Sequence, residues 1–308
     1  MRIIVPGGIS ALFEPFIVPD PYLCGARGAG IGIENAAIIE LNIRESDSLS
    51  ITNVINGKHI RGGIGEEAVR AFFEVLGIEP KYSVEIRQEI KVPIGAGFGT
   101  SAASALGIII LLSYSLDVPL TLVEAGDIAH IAEIRARSGL GTVSGLVFLG
   151  DIVIVSKPGA PSHCLIDRIP LPLDDIYVVL ASKGKVETAK ALADEKLLER
   201  AKTFGKIAVD NLIKKPTLKN FFRTAKFFAE KTGLITKEIF TLIRKLENTA
   251  IGSAQAMIGD SIFALAYRDD VEEVKKIIEE TMKTEAIVLK PVRSGFCLHF
   301  PVKCAKSC

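Results

Sequence analysis

Net charge is nearly missing from this sequence: 37 Lys and Arg stand against 36 Asp and Glu, leaving +1 over 308 residues. A chain so balanced has no field with which to hold a polyanion, which argues against nucleic-acid binding. Long hydrophobic runs are missing as well. The longest, Ala102 to Leu112, is interrupted by Ser104 and falls short of the roughly 20 apolar residues that span a bilayer, so no transmembrane segment is expected. Pro6, Gly7 and Gly8 follow Arg2 before a signal-type apolar region can form, and a cytoplasmic protein is the expectation. Cysteine is sparse and unpatterned. Cys24, Cys164, Cys297, Cys304 and Cys308 form an odd set with no C-x-x-C pair, which suits neither a disulfide framework nor a zinc site and predicts reduced thiols. Internal repeats and low-complexity segments are also missing.

What is present is the material of a packed globular protein, 48% hydrophobic and 24% charged. The length suits two domains, each with its own core. Short alternating runs predict strands at Arg2 to Val5, Ala29 to Ile33, Ala36 to Ile43 and Ser50 to Ile55. Apolar residues at helical spacing predict a helix from Glu66 to Leu76, stopped by Gly77, and Tyr82 to Ile90 alternates as a strand again. Thr100 opens a helix to about Leu116, and Thr121, with Glu124 three residues on, predicts a capped helix to about Arg137. Asp151 to Val155 reads as a strand. Four prolines between Lys157 and Pro172 mark the domain boundary, giving domains over 1–160 and 170–308. The second half reads as a strand at Tyr177 to Ala181 and helices within 186–256 broken near Pro216 and Gly233. A strand at Ser261 to Tyr267, a helix at Val271 to Met282 and strands at Ala286 to Leu289 and Phe296 to Phe300 follow. The fold class expected is α+β, with helices on one face of the sheet.

The most informative stretch is Pro93-Ile94-Gly95-Ala96-Gly97-Phe98-Gly99-Thr100-Ser101-Ala102-Ala103-Ser104, a glycine-rich turn between a strand and a helix. Glycines let the backbone turn sharply and approach a ligand without a Cβ, while free N–H groups and the positive end of the helix dipole face an anion. Hydroxyls at Thr100, Ser101 and Ser104 add groups for phosphate or metal. The stretch is neither a Walker A loop, since no Lys follows its last glycine, nor a dinucleotide fingerprint, since the final G-x-x-G spacing is missing. One face of the following helix carries Asp127, His130 and Glu133 at three-residue intervals.

That loop resembles the second motif of the GHMP kinase superfamily, P-x-G-x-G-x-G-S-S-A-A, with Thr100 in place of the first serine. The superfamily's first motif, P-G-K-x-x-L-x-G-E, is matched by Pro6, Gly7 and Glu14, with Gly8 in the lysine position. The resemblance assigns Glu133 to the magnesium-binding glutamate and Ser138-Gly139-Leu140 to the loop after it. Gly141 and Thr142 stand where that loop's aspartate is expected. The third motif corresponds to Gly252 through Ser261 with most glycines replaced. Pro6 to Pro15, Gly25-Ala26-Arg27-Gly28-Ala29-Gly30 and Ala256 to Ala264 together resemble the archaeal pantoate kinases.

The resemblance implies a two-domain GHMP kinase fold, with an N-terminal domain like domain 2 of ribosomal protein S5 and a ferredoxin-like C-terminal domain. It implies ATP and Mg²⁺ as cofactors, the 4-hydroxyl of pantoate as acceptor on the route to coenzyme A, and a homodimer. Nucleotide binding then falls to Pro93, Gly95, Ala96, Gly97, Phe98, Gly99, Thr100, Ser101, Ala102 and Ser104, and metal binding to Ser101 and Glu133. Glu133, His130 and Thr142 are the catalytic candidates. With no aspartate at Thr142, the acceptor's proton leaves through His130, through water or directly to phosphate oxygen. Substrate-binding candidates are Arg27, Gly28, Glu14, His130 and Arg135, the two arginines because a guanidinium fits a carboxylate. Arg135 and Arg137 also suit the end of their helix. Lys183, Lys185 and Thr188 either close over the substrate or belong to a solvated loop that caps a helix. Rival readings are a kinase of another alcohol or hydroxy acid (homoserine, mevalonate, shikimate), a related decarboxylase, or a non-catalytic ligand- or RNA-binding relative.

Overall fold

The computed structural model describes residues 1–171, 174–184, 193–257 and 259–292, and the backbone of 297–299. Lys185, Thr188, Cys304 and Cys308 lie outside the described residues. Cys24 and Cys164 are free thiols.

Two sheets organise the chain. The first is built on a long antiparallel pair, β1 (Arg2–Phe16) and β2 (Gly25–Glu45), extended by β5 (Tyr82–Ile90), β3 (Ser50–Ile55) and β4 (Lys58–Ile60). On this sheet β6 (Ile152–Lys157) also pairs β2, β7 (Leu165–Ile169) pairs β6, and β12 (Cys297–His299) pairs β1. The second sheet runs β11 (Ile287–Leu289), β8 (Ile176–Ser182), β10 (Ser261–Tyr267), β9 (Gly252–Gln255). Helices α1 (Gly63–Leu76) and α2 (Thr100–Ser115) pack on the first sheet, α3 (Leu122–Arg135) packs on both of them, and a short α4 (Thr142–Val147) follows. The second half contributes α5 (Glu195–Lys214), α6 (Leu218–Thr232), α7 (Lys237–Leu246) and α8 (Val271–Met282).

The sequence splits β2 into two runs at Glu34-Asn35, whereas the structure keeps one strand that changes face there, with Asn35 at φ 54°. Its partner changes face at the same level, through a register shift between Val5 and Gly7. As a result Ile3, Val5, Ala37 and Ile39 enter the core under α1–α3, while Ile9, Leu12, Ile31 and Ile33 enter a second core on the other side. A bulge of this kind re-aims a strand, and here it brings Gly7 and Gly8 beneath the glycine-rich turn.

The second core is shared. It joins Ile9, Leu12 and Phe13 of the first half to Val178, Leu180, Val209, Phe221, Phe228 and Phe263 of the second, so the halves share this core besides the one that each buries by itself. Strands β8 and β10 alternate strictly: Val178, Leu180, Phe263 and Leu265 face this core, while Val179, Ala181, Ile262 and Ala264 face a third core with α7 and α8. Helix α2 is buried over nearly its whole length, from Ala102 to Ser113. Each fully buried Ile or Leu there contributes roughly 1.5–3 kcal/mol, which fixes the helix whose first turn forms the site. Unforeseen elements are short: β4, α4, β7 and β9, the last lying where the third-motif segment begins at Gly252.

Candidate active site

Gly95, Gly97 and Gly99 all adopt the left-handed region, at φ 75°, 81° and 69°, a conformation that an L side chain enters only with strain. The turn they make folds back on β1, where the Gly8 N–H donates to the Phe98 carbonyl at 3.2 Å. A Cβ on Gly99 would lie 2.6 Å from the Gly8 nitrogen and 2.7 Å from its oxygen. Ala256, from the third-motif segment, supports the turn from its other side and would meet a Cβ on Gly97 at 3.3 Å. The Met257 N–H donates to the Ser10 carbonyl at 3.0 Å, tying that segment to β1.

Gly99 is the N-cap of α2, and no side chain caps this helix. Helix α3 is the contrast, since Thr121 and Glu124 form a full capping box at its start. The first amides of α2 are therefore free of a side-chain acceptor, and with the helix dipole behind them they make a terminus of the kind that suits an anion.

These amides open onto a cleft whose non-protein space, the part open to solvent included, is about 1140 Å³. Gly95, Gly97, Phe98, Gly99, Thr100, Ser101 and Ala102 line it, together with Arg27, Gly28, Glu133 and Thr142. Pro93, Ala96 and Ser104 do not. Ala96 and Ser104 are buried and shape the turn and the helix from behind.

Glu133 ends α3 with its carboxylate fully buried against the loop 138–141 and the start of α4. Any side chain on Gly139 would collide with its Oε1. Burial pushes the Glu133 pKa up to about 7, against the opposing pull of the Val143, Thr142 and Gly141 amides. Those amides temper its charge without closing a hydrogen bond on Oε2, which has no protein partner. A buried, unpartnered carboxylate oxygen and a Ser101 hydroxyl lining the same cleft are hard-oxygen donors of the kind that suits Mg²⁺, an ion that takes one or two carboxylates and completes its shell with water and phosphate oxygen. Among the described residues no cluster of three or more His, Cys, Asp or Glu could hold a metal by itself.

Gly8 and Thr142, the two positions where the resemblance expects a lysine and an aspartate, are neighbours in the cleft lining. A Cβ on Gly8 would lie 3.4 Å from the Thr142 methyl and 3.3 Å from a Leu146 methyl. Both charges are thus replaced together by a small, neutral contact.

His130 and Arg135, also expected at the site, stand off the cleft. His130 is fully buried and lies off the cleft wall, with its Nε2–H donating to the Cys24 carbonyl at 2.9 Å. Burial lowers its pKa and keeps the ring neutral, so His130 holds the β1–β2 connection rather than reaching an acceptor. Asp127, expected on the same helix face, accepts from the Ser162 N–H at 3.0 Å. Arg135 is also off the cleft. It donates through both terminal nitrogens to Glu74 of α1 at 2.8 Å, an exposed pair that ties α1 to α3.

Arg27 lines the cleft, but its terminal nitrogens are engaged. Nη1 donates to Glu14 Oε2 at 2.8 Å and Nη2 to Asp210 Oδ1 at 2.6 Å. Glu14 is its cross-strand partner and sits behind the cleft wall. Asp210 comes from α5, and nothing local in the sequence marks it; 183 positions separate it from Arg27. Lys183 is held by Glu238 at 2.6 Å, away from the lining.

Residues 64–148, which carry the turn, α2, Glu133 and α4, match the family model of the GHMP kinases N terminal domain. A pantoate kinase of Thermococcus kodakarensis is 30% identical over 286 residues, spanning 91% of this chain and 92% of that protein. The chain belongs to the GHMP kinase family. A second relative, a pantoate kinase of Methanocaldococcus jannaschii, is 28% identical over 275 residues, covering 89% of this chain and 96% of that protein. Among solved structures, a phosphotransferase related to the CoA biosynthesis pathway superposes with a TM-score of 0.84 at 26% identity, covering 96% of this chain and 97% of the other. The GHMP kinase fold thus runs the length of both halves.

Proposed function

We propose that the chain is a pantoate kinase, transferring the γ-phosphoryl group of ATP to the 4-hydroxyl of pantoate on the route to coenzyme A. The observation that carries the reading is one cleft that holds both an uncapped helix start behind three left-handed glycines and a buried carboxylate with an unpartnered oxygen. The similarity to pantoate kinases over most of the chain supports the choice of acceptor.

The amides of Thr100, Ser101 and Ala102 receive the polyphosphate, and the glycines let it approach the backbone. Ser101 and Glu133 would hold Mg²⁺, which when bound supplies positive charge against the phosphate oxygens. Arg27, the only Lys or Arg lining the cleft among the described residues, serves the acceptor's carboxylate, and Leu12, Ile31, Leu149 and Val153 give its apolar carbons a dry wall. With His130 off the wall and Thr142 uncharged, the acceptor's proton leaves through water or to phosphate oxygen. Phosphoryl transfer tolerates this, because positioning and charge neutralisation supply most of its catalysis. A cytoplasmic homodimer accompanies this reading.

A coupled ADP-release assay with pantoate, mevalonate, homoserine and shikimate tests it. Turnover with pantoate at least about tenfold better in kcat/KM than with any other acceptor is expected; turnover on mevalonate but not pantoate contradicts it.

A further inference from the structure

Arg27 presents a charge problem that the proposed acceptor sharpens. It is the only cation lining the cleft among the described residues, yet two carboxylates already occupy it. Its Nε is buried with no acceptor in the protein and no opening for one. A substrate carboxylate that joined Glu14 and Asp210 on this guanidinium would be the third negative group around one positive charge.

The two resident carboxylates are not equivalent. Glu14 is 5% exposed and sits in strand register opposite Arg27, so it is fixed to the same hairpin. Asp210 is 36% exposed and arrives from the other half on α5. That helix is pressed against β1 at Gly205, where any side chain would collide with the Phe13 carbonyl. Asp210 also has somewhere to go. Its Oδ2 accepts from Lys206, one helical turn earlier, at 2.9 Å, so on leaving Arg27 it keeps a cation. Glu14 has no such second ion-pair partner among the described residues.

We infer that Asp210 holds the place of the substrate's carboxylate on Arg27 and yields it when the substrate binds. This rests on Arg27 receiving an acidic acceptor, as proposed above. The incoming carboxylate replaces a bond of the same kind, and the charge around Arg27 is the same before and after. Asp210 thereby acts as an internal competitor that keeps Arg27 from capturing phosphate or other small anions in the empty enzyme. The bridge between α5 and β2 opens as the substrate enters.

Two variants test this with opposite signs. Asp210→Asn removes the competitor, and its KM for pantoate should fall about fivefold, the size of effect a half-exposed ion pair can exert, with the KM for ATP unchanged. Lys206→Gln removes the alternative partner, leaves Asp210 more firmly on Arg27, and should raise the KM for pantoate. Melting curves check that both variants fold. A merely structural bridge would make both variants shift KM in the same direction, and that result, or a raised or unaltered pantoate KM in Asp210→Asn, overturns the exchange. Calorimetric titration of pantoate into nucleotide-free protein separates the two ideas. Tighter binding to Asp210→Asn without ADP release by the wild type supports the exchange and refutes the kinase reading alone. Equal or weaker binding to the variant overturns the exchange while leaving turnover intact, and no binding to either protein overturns both.

Discussion

The two working parts of the cleft are built from different materials. The end proposed for the nucleotide is backbone: three left-handed glycines, the uncapped start of α2 and the Gly8 amide beneath them lie close in sequence or on one neighbouring strand. The acid end is side chains: Arg27, Glu14, Asp210 and Lys206 form a chain of ion pairs that crosses from one half of the molecule to the other. Backbone geometry leaves little freedom once the glycines are present. Charge networks can be rewired by one substitution on either helix or strand, and in the proposed reading they set which acceptor is held rather than whether phosphate is.

The largest effect that would sharpen this contrast is at Glu133, the one carboxylate serving the backbone end. Glu133→Gln keeps the shape and removes the charge, and kcat should fall at least about a hundredfold, with a far-UV spectrum like that of the wild type and, at pH 5, a similar melting transition; near-normal turnover would show that the metal assignment is wrong. Next comes Gly99→Ala. A left-handed alanine costs about 1–2 kcal/mol, and its Cβ would push on both polar atoms of the Gly8 backbone. Its kcat/KM for ATP should drop by roughly ten- to a hundredfold and its Tm by several degrees, while pantoate binding measured without nucleotide stays within about twofold. Loss of pantoate binding in that variant would break the division into two ends.

A third effect lies in pH. Glu133 in the folded protein has a pKa of about 7 against an ordinary value of 4.5, so the folded state takes up the proton more readily than the unfolded one. Its stabilising contribution is full below pH 4.5 and is lost as pH rises to 7, on the order of 3 kcal/mol in ligand-free protein. The ligand-free wild type should therefore lose more Tm than Glu133→Gln between pH 5 and pH 8. Parallel curves would mean that the carboxylate is not desolvated as described. The smallest effect is at Arg135. Arg135→Ala breaks an exposed pair with Glu74, so Tm should move by less than about 2 °C and no kinetic constant should change; a raised KM for pantoate would return Arg135 to the substrate site.

Much of the backbone end was legible in the sequence, because it depends on local chemistry. Glycines at alternate positions, Thr100 as the helix start and the capping box at Thr121 each declare their geometry within a few residues. Strands β3, β5 and β10 and helix α8 were readable for the same reason, from periodicity and flanking turn residues. What the sequence hid depends on distance. Nothing near Asp210 distinguishes it from any polar residue on an amphipathic helix, and only the fold places it on Arg27. His130 shows the converse error: its three-residue spacing from Glu133 puts both on α3, but the β1–β2 connection covers the histidine and leaves the glutamate facing the cleft. The interruption at Glu34-Asn35 looked like a break between strands because a face change within one strand produces the same loss of alternation.

A crystal structure with a non-hydrolysable ATP analogue, Mg²⁺ and pantoate tests the central claim most directly. The account predicts phosphate oxygens on the amides of Thr100, Ser101 and Ala102, the metal within reach of Glu133, and the pantoate carboxylate on Arg27 with Asp210 turned to Lys206. Triphosphate bound away from the start of α2 would contradict it.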